Sequence, residues 1–493
     1  MKASFDQLMQ RAVTALRSDR LDEASRLVHQ VLREDQSQAE AWHFLAGIRL
    51  RQQQPTEAAA ALHKVMALNP GNREAGLELI GVLRGLDRDE ERLALCRELV
   101  ARWPDDGRVL RAMGLAGWEL GDLEEATEAY RKALELDPTD PDTLCDLTLL
   151  GRSDLVSSDV LRAALRNPLL DWRRRARLHF ALGKQAESAE QYAQAFEDFT
   201  EGNRIRRAHE DFGIARKLGN AGAFLRLFEE SDRLNGCGCS SRRPVFVTGM
   251  PRSGTTLVAQ ILNTHPEIQN LGERLDLQTV ISEWARRADL KGELLESLDQ
   301  MEPDVWARMG EDYLARLPEP ADGVRYLVDK MPFNVNLVGF LRLMFPEAAV
   351  IVCRRDLMDV GVSCFGTGFS ETAFSYDLYE LGQFIGMCDA MAGYWQQRWP
   401  DYVHVVDYED LVTAPDAVVR GLFERIAVEW DEGWRSFHTT RSAVRTASIS
   451  QVRRAIYQSS VGRWKRYESH LEPFRAGIAD ARKRLGNKSQ APG

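Results

Sequence analysis

The chain of 493 residues has no run of about 18 apolar residues, so no segment reads as a membrane-spanning helix. It also lacks an excess of positive charge. Lys and Arg total 64 against 74 Asp and Glu, a net charge of −10. General nucleic-acid binding, which needs a basic surface, is therefore not expected, although a local basic pocket for a small polyanion is compatible with this balance. The N-terminal stretch MKASFDQLMQRAVTALRSDRLDEA lacks the apolar core and small-residue cleavage site of a secretory signal. The seven cysteines are odd in number and scattered, which fits free thiols in a reducing compartment and a cytoplasmic protein. Cys237 and Cys239 form a lone CxC in NGCGCS with no histidine cluster near it, so no metal site is expected there.

What the sequence does have is a period. Pro70, Pro104 and Pro138 close the runs ALNP, ARWP and ELDP, each 34 residues after the last. Ala24, Ala58 and Ala126 share one register in this repeat, with Arg92 in the remaining slot; Leu32, Met66, Val100 and Leu134 share another. Small residues at a helix crossing, followed by a proline that ends the second helix, give the tetratricopeptide pattern. The clearest unit is Trp118–Pro138, WELGDLEEATEAYRKALELDP, and the array covers about residues 5–150. A more degenerate helical pair follows at Arg175–Arg207. Such arrays stack neighbouring repeats and use the resulting groove for peptides and partner proteins.

Composition changes at Asn235–Arg243, NGCGCSSRR, the expected domain boundary. Beyond it, the short apolar runs PVFVT (244–248), AAVIVC (348–353) and YVHVV (402–406) alternate with helical stretches. That alternation predicts a parallel sheet covered on both faces. The run Val245–His265, VFVTGMPRSGTTLVAQILNTH, reads as a strand, a glycine-containing loop and a helix, an arrangement that points backbone N–H groups at an anion. Gly249 and Gly254 stand five apart, as in the nucleotide-binding P-loop, but Thr255 occupies its lysine position. The cation of this loop is instead Arg252.

The motif PxRSGTT after an apolar strand resembles the 5′-phosphosulfate loop of sulfotransferases that use 3′-phosphoadenosine-5′-phosphosulfate (PAPS). More narrowly, the chain resembles the tyrosylprotein sulfotransferases and bacterial proteins that carry tetratricopeptide repeats ahead of such a domain. By that resemblance, Gly249, Pro251, Arg252, Ser253, Gly254, Thr255 and Thr256 hold the 5′-phosphosulfate. Glu273 in NLGER, 21 residues after Arg252, falls on the base that takes the acceptor proton. Lys330 in DKMPF falls on the cation that stabilises the leaving group. Arg355 and Ser363, eight residues apart in AVIVCRRDLMDVGVS, fall on the 3′-phosphate ligands, with Arg354 as the alternative arginine. In TASISQVRRAIYQSSVGRWKRY, Ser448 falls on a serine that holds the sulfuryl group, and Arg454 and Trp464 on nucleotide-side positions, with Arg463 and Lys465 as further cations. YEDL at 408–411 is read as support near the nucleotide, and His265 as a base less favoured than Glu273. The family's animal members carry a membrane anchor and disulfides, which this chain is expected to lack.

The expectation is a multidomain α and α/β protein. A tetratricopeptide α-solenoid spans 1–155, a helical connector with a degenerate repeat spans 156–235, and a P-loop-like α/β sulfotransferase domain with a parallel sheet spans 236–493. The chemistry expected is metal-free sulfuryl transfer from PAPS to a hydroxyl acceptor: a protein tyrosine, a sugar or a small metabolite. The repeats are expected to present a protein or peptide, or to organise a homodimer. Two other readings stay open. One is a P-loop kinase, against which Thr255 counts; the other is a repeat scaffold with an inert enzyme fold.

Overall fold

The computed structural model describes residues 5–230, 238–287, 303–369, 372–440, 444–446 and 448–486. Cys237 and the first residues of the expected boundary, 235–237, lie outside the described residues. The chain divides into two compact units between Val160 and Leu161. Among the described residues, no helix is long and apolar enough to cross a membrane.

The first unit keeps the period of the sequence. Helices begin at Phe5, Ala39, Arg73, Gly107 and Pro141, each 34 residues after the last, and their partners begin at Leu21, Pro55, Asp89 and Leu123, again 34 apart. The turn inside each pair places one residue in the left-handed region: Asp19, Gln53, Asp87 and Gly121, with φ of 58°, 61°, 57° and 92°. Only the last is glycine, the residue that adopts this conformation without steric cost. Ala24, Ala58 and Ala126 are fully buried at the helix crossings. In the third repeat, Arg92 fills that slot and is buried too. Its charge is met by Glu119 at 2.6 Å and Asp89 at 3.1 Å, and Arg84 also reaches Glu119 at 2.7 Å. The period appears again between the first helices of successive pairs, where His43–Glu78, Glu74–Arg108, Arg84–Glu119 and Arg111–Asp146 link residues 34 or 35 apart.

The second unit is built on five parallel strands: β1 (Pro244–Gly249), β2 (Ile268–Asn270), β3 (Tyr326–Lys330), β4 (Ala349–Arg354) and β5 (Val403–Asp407), in the order β2-β3-β1-β4-β5. All six residues of β1 are buried, as a central strand covered on both faces requires. Alternation sends Phe246, Leu327, Val350 and Val352 into the larger core and Val245, Val247, Val328 and Ile351 into the other. The helix Thr255–Leu262 packs in that second core through Val258, Ile261 and Leu262.

The helical pair read before the boundary folds as Trp172–Ser188 and Tyr192–Arg207 and belongs to this second unit. Its turn residue Glu190 has φ 58° and stands two residues ahead of its second helix, the same offset as Asp19, Gln53, Asp87 and Gly121. The pair thus keeps the turn geometry of the repeats. Phe196 and Phe199 carry it into the core of the sheet domain.

Candidate functional site

Every strand of the sheet delivers a candidate residue at its carboxyl end, the edge where open parallel sheets bind ligands. The glycine loop follows β1, Glu273 follows β2, Lys330 ends β3, Arg354 and Arg355 close β4, and Tyr408 follows β5. β1 sits in the middle of the sheet, with β3 and β4 on either side.

The loop is shaped by its glycines. Gly249 has φ 144°, and a Cβ there would fall 2.3 Å from the Cys353 carbonyl oxygen of β4, so no larger residue fits. Gly254, at φ 100°, caps the helix Thr255–Leu262, and a Cβ there would meet the Tyr408 ring at 2.9 Å. Arg252 itself is left-handed at φ 71°, a costly conformation for a non-glycine residue. Ser253 closes the loop by donating to the Met250 carbonyl at 2.7 Å, and the Pro251 carbonyl accepts from Cys364 Sγ at 3.5 Å. Thr255 and Thr256 are buried at the helix start, and Thr256 Oγ1 lies 3.3 Å from Thr446 Oγ1.

Arg252 ties three expected parts together. Its Nε donates to Ser363 Oγ at 3.0 Å and its Nη1 to Ser448 Oγ at 2.6 Å. Arg355 braces the loop from the other side, donating to the Arg252 carbonyl at 3.1 Å and the Ser460 carbonyl at 2.6 Å, with its guanidinium 4.5 Å from the Tyr408 ring centroid. The Tyr408 hydroxyl meets Ser460 Oγ at 2.7 Å. Arg355 Nε is buried with no hydrogen-bond partner among the described residues. Burial pushes the Arg252 guanidinium down to about 10, and the charges of Arg355 and Arg463 push the same way. Clustered cations at a helix N-terminus make a site for a polyanion. Arg252, Gly254–Thr256, Arg355, Ser448 and Arg454 line one narrow cleft of about 50 Å³.

Three placements depart from this cluster. The Trp464 ring does not line the cleft; it lies 5.6 Å from the Arg475 guanidinium, and its backbone N–H donates to Asp359. Arg354 turns away to pair with Asp389 at 3.1 Å, so of the two neighbouring arginines Arg355 is the one at the cleft. His265 is buried, accepts from the Glu267 N–H and meets Phe423 edge-on, a local structural role.

Glu273 and Lys330 form an ion pair. Lys330 is 2% exposed, and burial pulls its ammonium pKa down against the opposing Glu273 charge. The pair is anchored to the loop after β2 and to β1: the Lys330 N–H donates to Gly272 O at 3.0 Å, the Met331 N–H to Val247 O at 3.1 Å, and Thr248 Oγ1 to Pro332 O at 2.7 Å. Beneath Lys330, Asp329 is buried and accepts from the Tyr313 hydroxyl at 2.8 Å.

The sequence reading missed Asp359, whose carboxylate accepts from the Gly462 and Trp464 N–H groups at 2.6 and 2.9 Å and so fastens the C-terminal segment to the helix Leu357–Phe365. Its one sequence signal is its place four residues after Arg355.

Comparison with known proteins agrees with this geometry. Residues 244–432 match the model of the sulfotransferase family, and residues 9–73 and 114–150 match tetratricopeptide repeat models. An uncharacterized protein of Aquifex aeolicus (strain VF5) is 30% identical over 418 residues, covering 82% of this chain and 54% of that protein. Protein-tyrosine sulfotransferase A of Caenorhabditis elegans is 25% identical, covering 43% of this chain and 56% of its own. Protein-tyrosine sulfotransferase 1 of Homo sapiens is 24% identical, covering 43% and 59%. The chain spans little more than half the length of these relatives. Residues 244–432 are thus matched to the sulfotransferase family, on a chain that also carries matches to tetratricopeptide repeats.

Proposed function

We propose that this protein transfers the sulfuryl group of PAPS to the hydroxyl of an acceptor. The observation that carries the reading is the convergence of the phosphate loop, Arg355, Ser363 and Ser448 on Arg252, with Glu273 and Lys330 paired at the same edge of the sheet. PAPS supplies an activated sulfuryl group and a leaving group that departs as adenosine 3′,5′-bisphosphate.

The residues divide the work by their chemistry. The N–H groups of the loop and helix start, with the hydroxyls of Thr255 and Thr256, suit the 5′-phosphosulfate. Arg355 and Ser363 suit the 3′-phosphate, a planar fork beside a hydroxyl. Arg454, exposed at the cleft, adds a charge on the nucleotide side. Glu273 is the acceptor base: a carboxylate, held beside Lys330, that takes the hydroxyl proton as oxygen attacks sulfur. Lys330 and Ser448 offset the negative charge that builds on the sulfuryl oxygens and the departing phosphate. Protein cations supply the neutralisation, so the scheme calls for no metal. The segment 448–460 lines this cleft and is assigned the role of covering the nucleotide.

The repeats are assigned the acceptor or a partner protein, with tyrosine in a peptide as one acceptor class and a homodimer as one assembly. A reducing cytoplasm suits seven cysteines scattered along the chain. The test is transfer of radiolabelled sulfuryl from PAPS to tyrosyl peptides, sugars and small phenols. Transfer that disappears in Glu273→Gln while nucleotide binding persists is the expected result; transfer indifferent to Glu273 and Lys330 would contradict the assignment.

A further inference from the structure

The helical pair Trp172–Ser188 and Tyr192–Arg207 precedes the segment that matches the family model, yet it packs on the helix that carries Ser363. Phe196 stacks on Phe365 at 5.3 Å, and the buried Asn203 side chain donates to the Phe365 carbonyl at 2.9 Å. The Phe199 ring packs so closely on Gly366 that a Cβ there would lie 3.0 Å away. On the first helix of the pair, the Lys184 ammonium stands 5.2 Å from the centroid of that same ring. Lys184 is therefore held, through Phe199, near the C-terminal end of the helix that carries Ser363.

Its neighbours are charged. Glu187, one turn along the helix, accepts from Lys184 Nζ at 3.3 Å, from the Tyr467 hydroxyl at 2.6 Å and from Arg463. Burial alone would raise the Glu187 pKa, but Lys184 and Arg463 together pull it down to about 2, so it stays ionised and orients both cations. Arg463 and Arg252 both repel the Lys184 charge. Four cations thus gather here, Lys184, Arg252, Arg355 and Arg463, with Glu187 and Asp359 as the carboxylates in contact with them. Among the described residues, Lys184, Arg355 and Arg463 outnumber the two carboxylates that they touch, in surroundings where burying charge is costly. A dianion offsets this excess.

We infer that Lys184 is a specificity-determining residue for the 3′-phosphate of the donor nucleotide, contributed by the helical pair that lies outside the family segment. The inference rests on the donor reading above. Lysine suits the place as a compact charge that reaches phosphate without a planar partner. The Phe199 face beneath it keeps the ammonium from wandering into solvent. The helical pair is then part of the nucleotide site and not a passive spacer.

The experiment titrates the full-length protein with adenosine 3′,5′-bisphosphate and with adenosine 5′-monophosphate. Wild type should prefer the bisphosphate. Lys184→Met should weaken bisphosphate binding roughly 10- to 100-fold, the loss of one charge-assisted hydrogen bond, and leave the monophosphate nearly unchanged. Lys184→Arg should recover most of the preference. A second measurement needs no substitution. Burial, with Arg463 and Arg252 and against Glu187, brings the Lys184 ammonium down to about 8. Bisphosphate binding at pH 8, followed in buffers of different ionisation heat, should therefore take up a fraction of a proton that monophosphate binding does not. If Lys184→Met keeps the full preference, or weakens both nucleotides equally, the inference is overturned while the donor reading stands. If wild type binds neither nucleotide, the donor reading falls first.

Discussion

Arg252 Nη1 donates to Ser448 Oγ at 2.6 Å across 196 residues of sequence, and this bond joins the phosphate loop to the segment that covers it. Cutting it tests whether the segment serves the nucleotide. Ser448→Ala should leave the unfolding temperature near that of wild type, because both groups are only half-buried, yet lower the transfer rate by roughly 10-fold as one transition-state donor is lost. Limited proteolysis read by mass spectrometry should show cleavage at 448–460 suppressed by adenosine 3′,5′-bisphosphate in wild type and less so in the variant.

The Glu273–Lys330 pair should separate chemistry from binding. Glu273→Gln removes the base and should lower kcat by roughly 10²- to 10⁴-fold with KM for the donor little changed. Lys330→Ala should also lower kcat. Because it leaves Glu273 without its ammonium, it should lower the unfolding temperature as well. Steady-state kinetics on purified variants reads both.

Buried Arg92 marks where the repeat pattern is broken and compensated. Removing its partner by Glu119→Ala leaves that guanidinium with Asp89 alone and should cost about 3 kcal/mol of stability. The double variant Arg92→Ala, Glu119→Ala restores the small residue of the other repeats and should cost less than the single one. Chemical denaturation of both variants measures the difference.

The turn residues of the repeats offer a stabilising change. Gln53 adopts φ 61° without the local side-chain bonding that eases aspartate into this region. Gln53→Gly should gain about 0.5 kcal/mol, since relief of strain exceeds the added freedom of the unfolded chain. Asp87→Gly should gain less, for aspartate tolerates this conformation better. Thermal unfolding compares them.

The repeats were legible because their signal is a period, which survives even where Arg92 replaces alanine. The phosphate loop was legible because strand, glycine spacing and arginine lie within a dozen residues. β3 was not. Its run YLVDK ends in two charges that the fold buries by pairing Asp329 with Tyr313 and Lys330 with Glu273, partners far away in sequence. β2, only three residues long, carries too little pattern to stand out. Asp359 and Lys184 escaped for a related reason. Asp359 meets a segment about a hundred residues distant, and Glu187 beside Lys184 meets Arg463 farther still, contacts that no local spacing encodes. The Trp464 ring was assigned by likeness, while packing against Arg475 decided where it went.

Asp329 gives the site region an inverted pH response. Burial raises its carboxyl to about 7, above the usual carboxylate value, so the folded state favours the protonated form. Its contribution to stability is therefore fully present at low pH and is lost as pH rises through about 7. Asp329→Asn, which keeps an acceptor for the Tyr313 hydroxyl and cannot ionise, should flatten this part of the profile of unfolding temperature between pH 5 and 8. A variant with an unaltered profile would remove Asp329 as its source.

The central claim is that this sheet edge binds the PAPS nucleotide, and calorimetric titration with adenosine 3′,5′-bisphosphate tests it most directly, with ATP and magnesium as the comparison. The expected result is tight bisphosphate binding, much poorer ATP binding, and a loss of roughly 100-fold in Arg355→Ala, where a buried arginine is removed from the phosphate. No bisphosphate binding, or a preference for ATP with magnesium, would contradict the account.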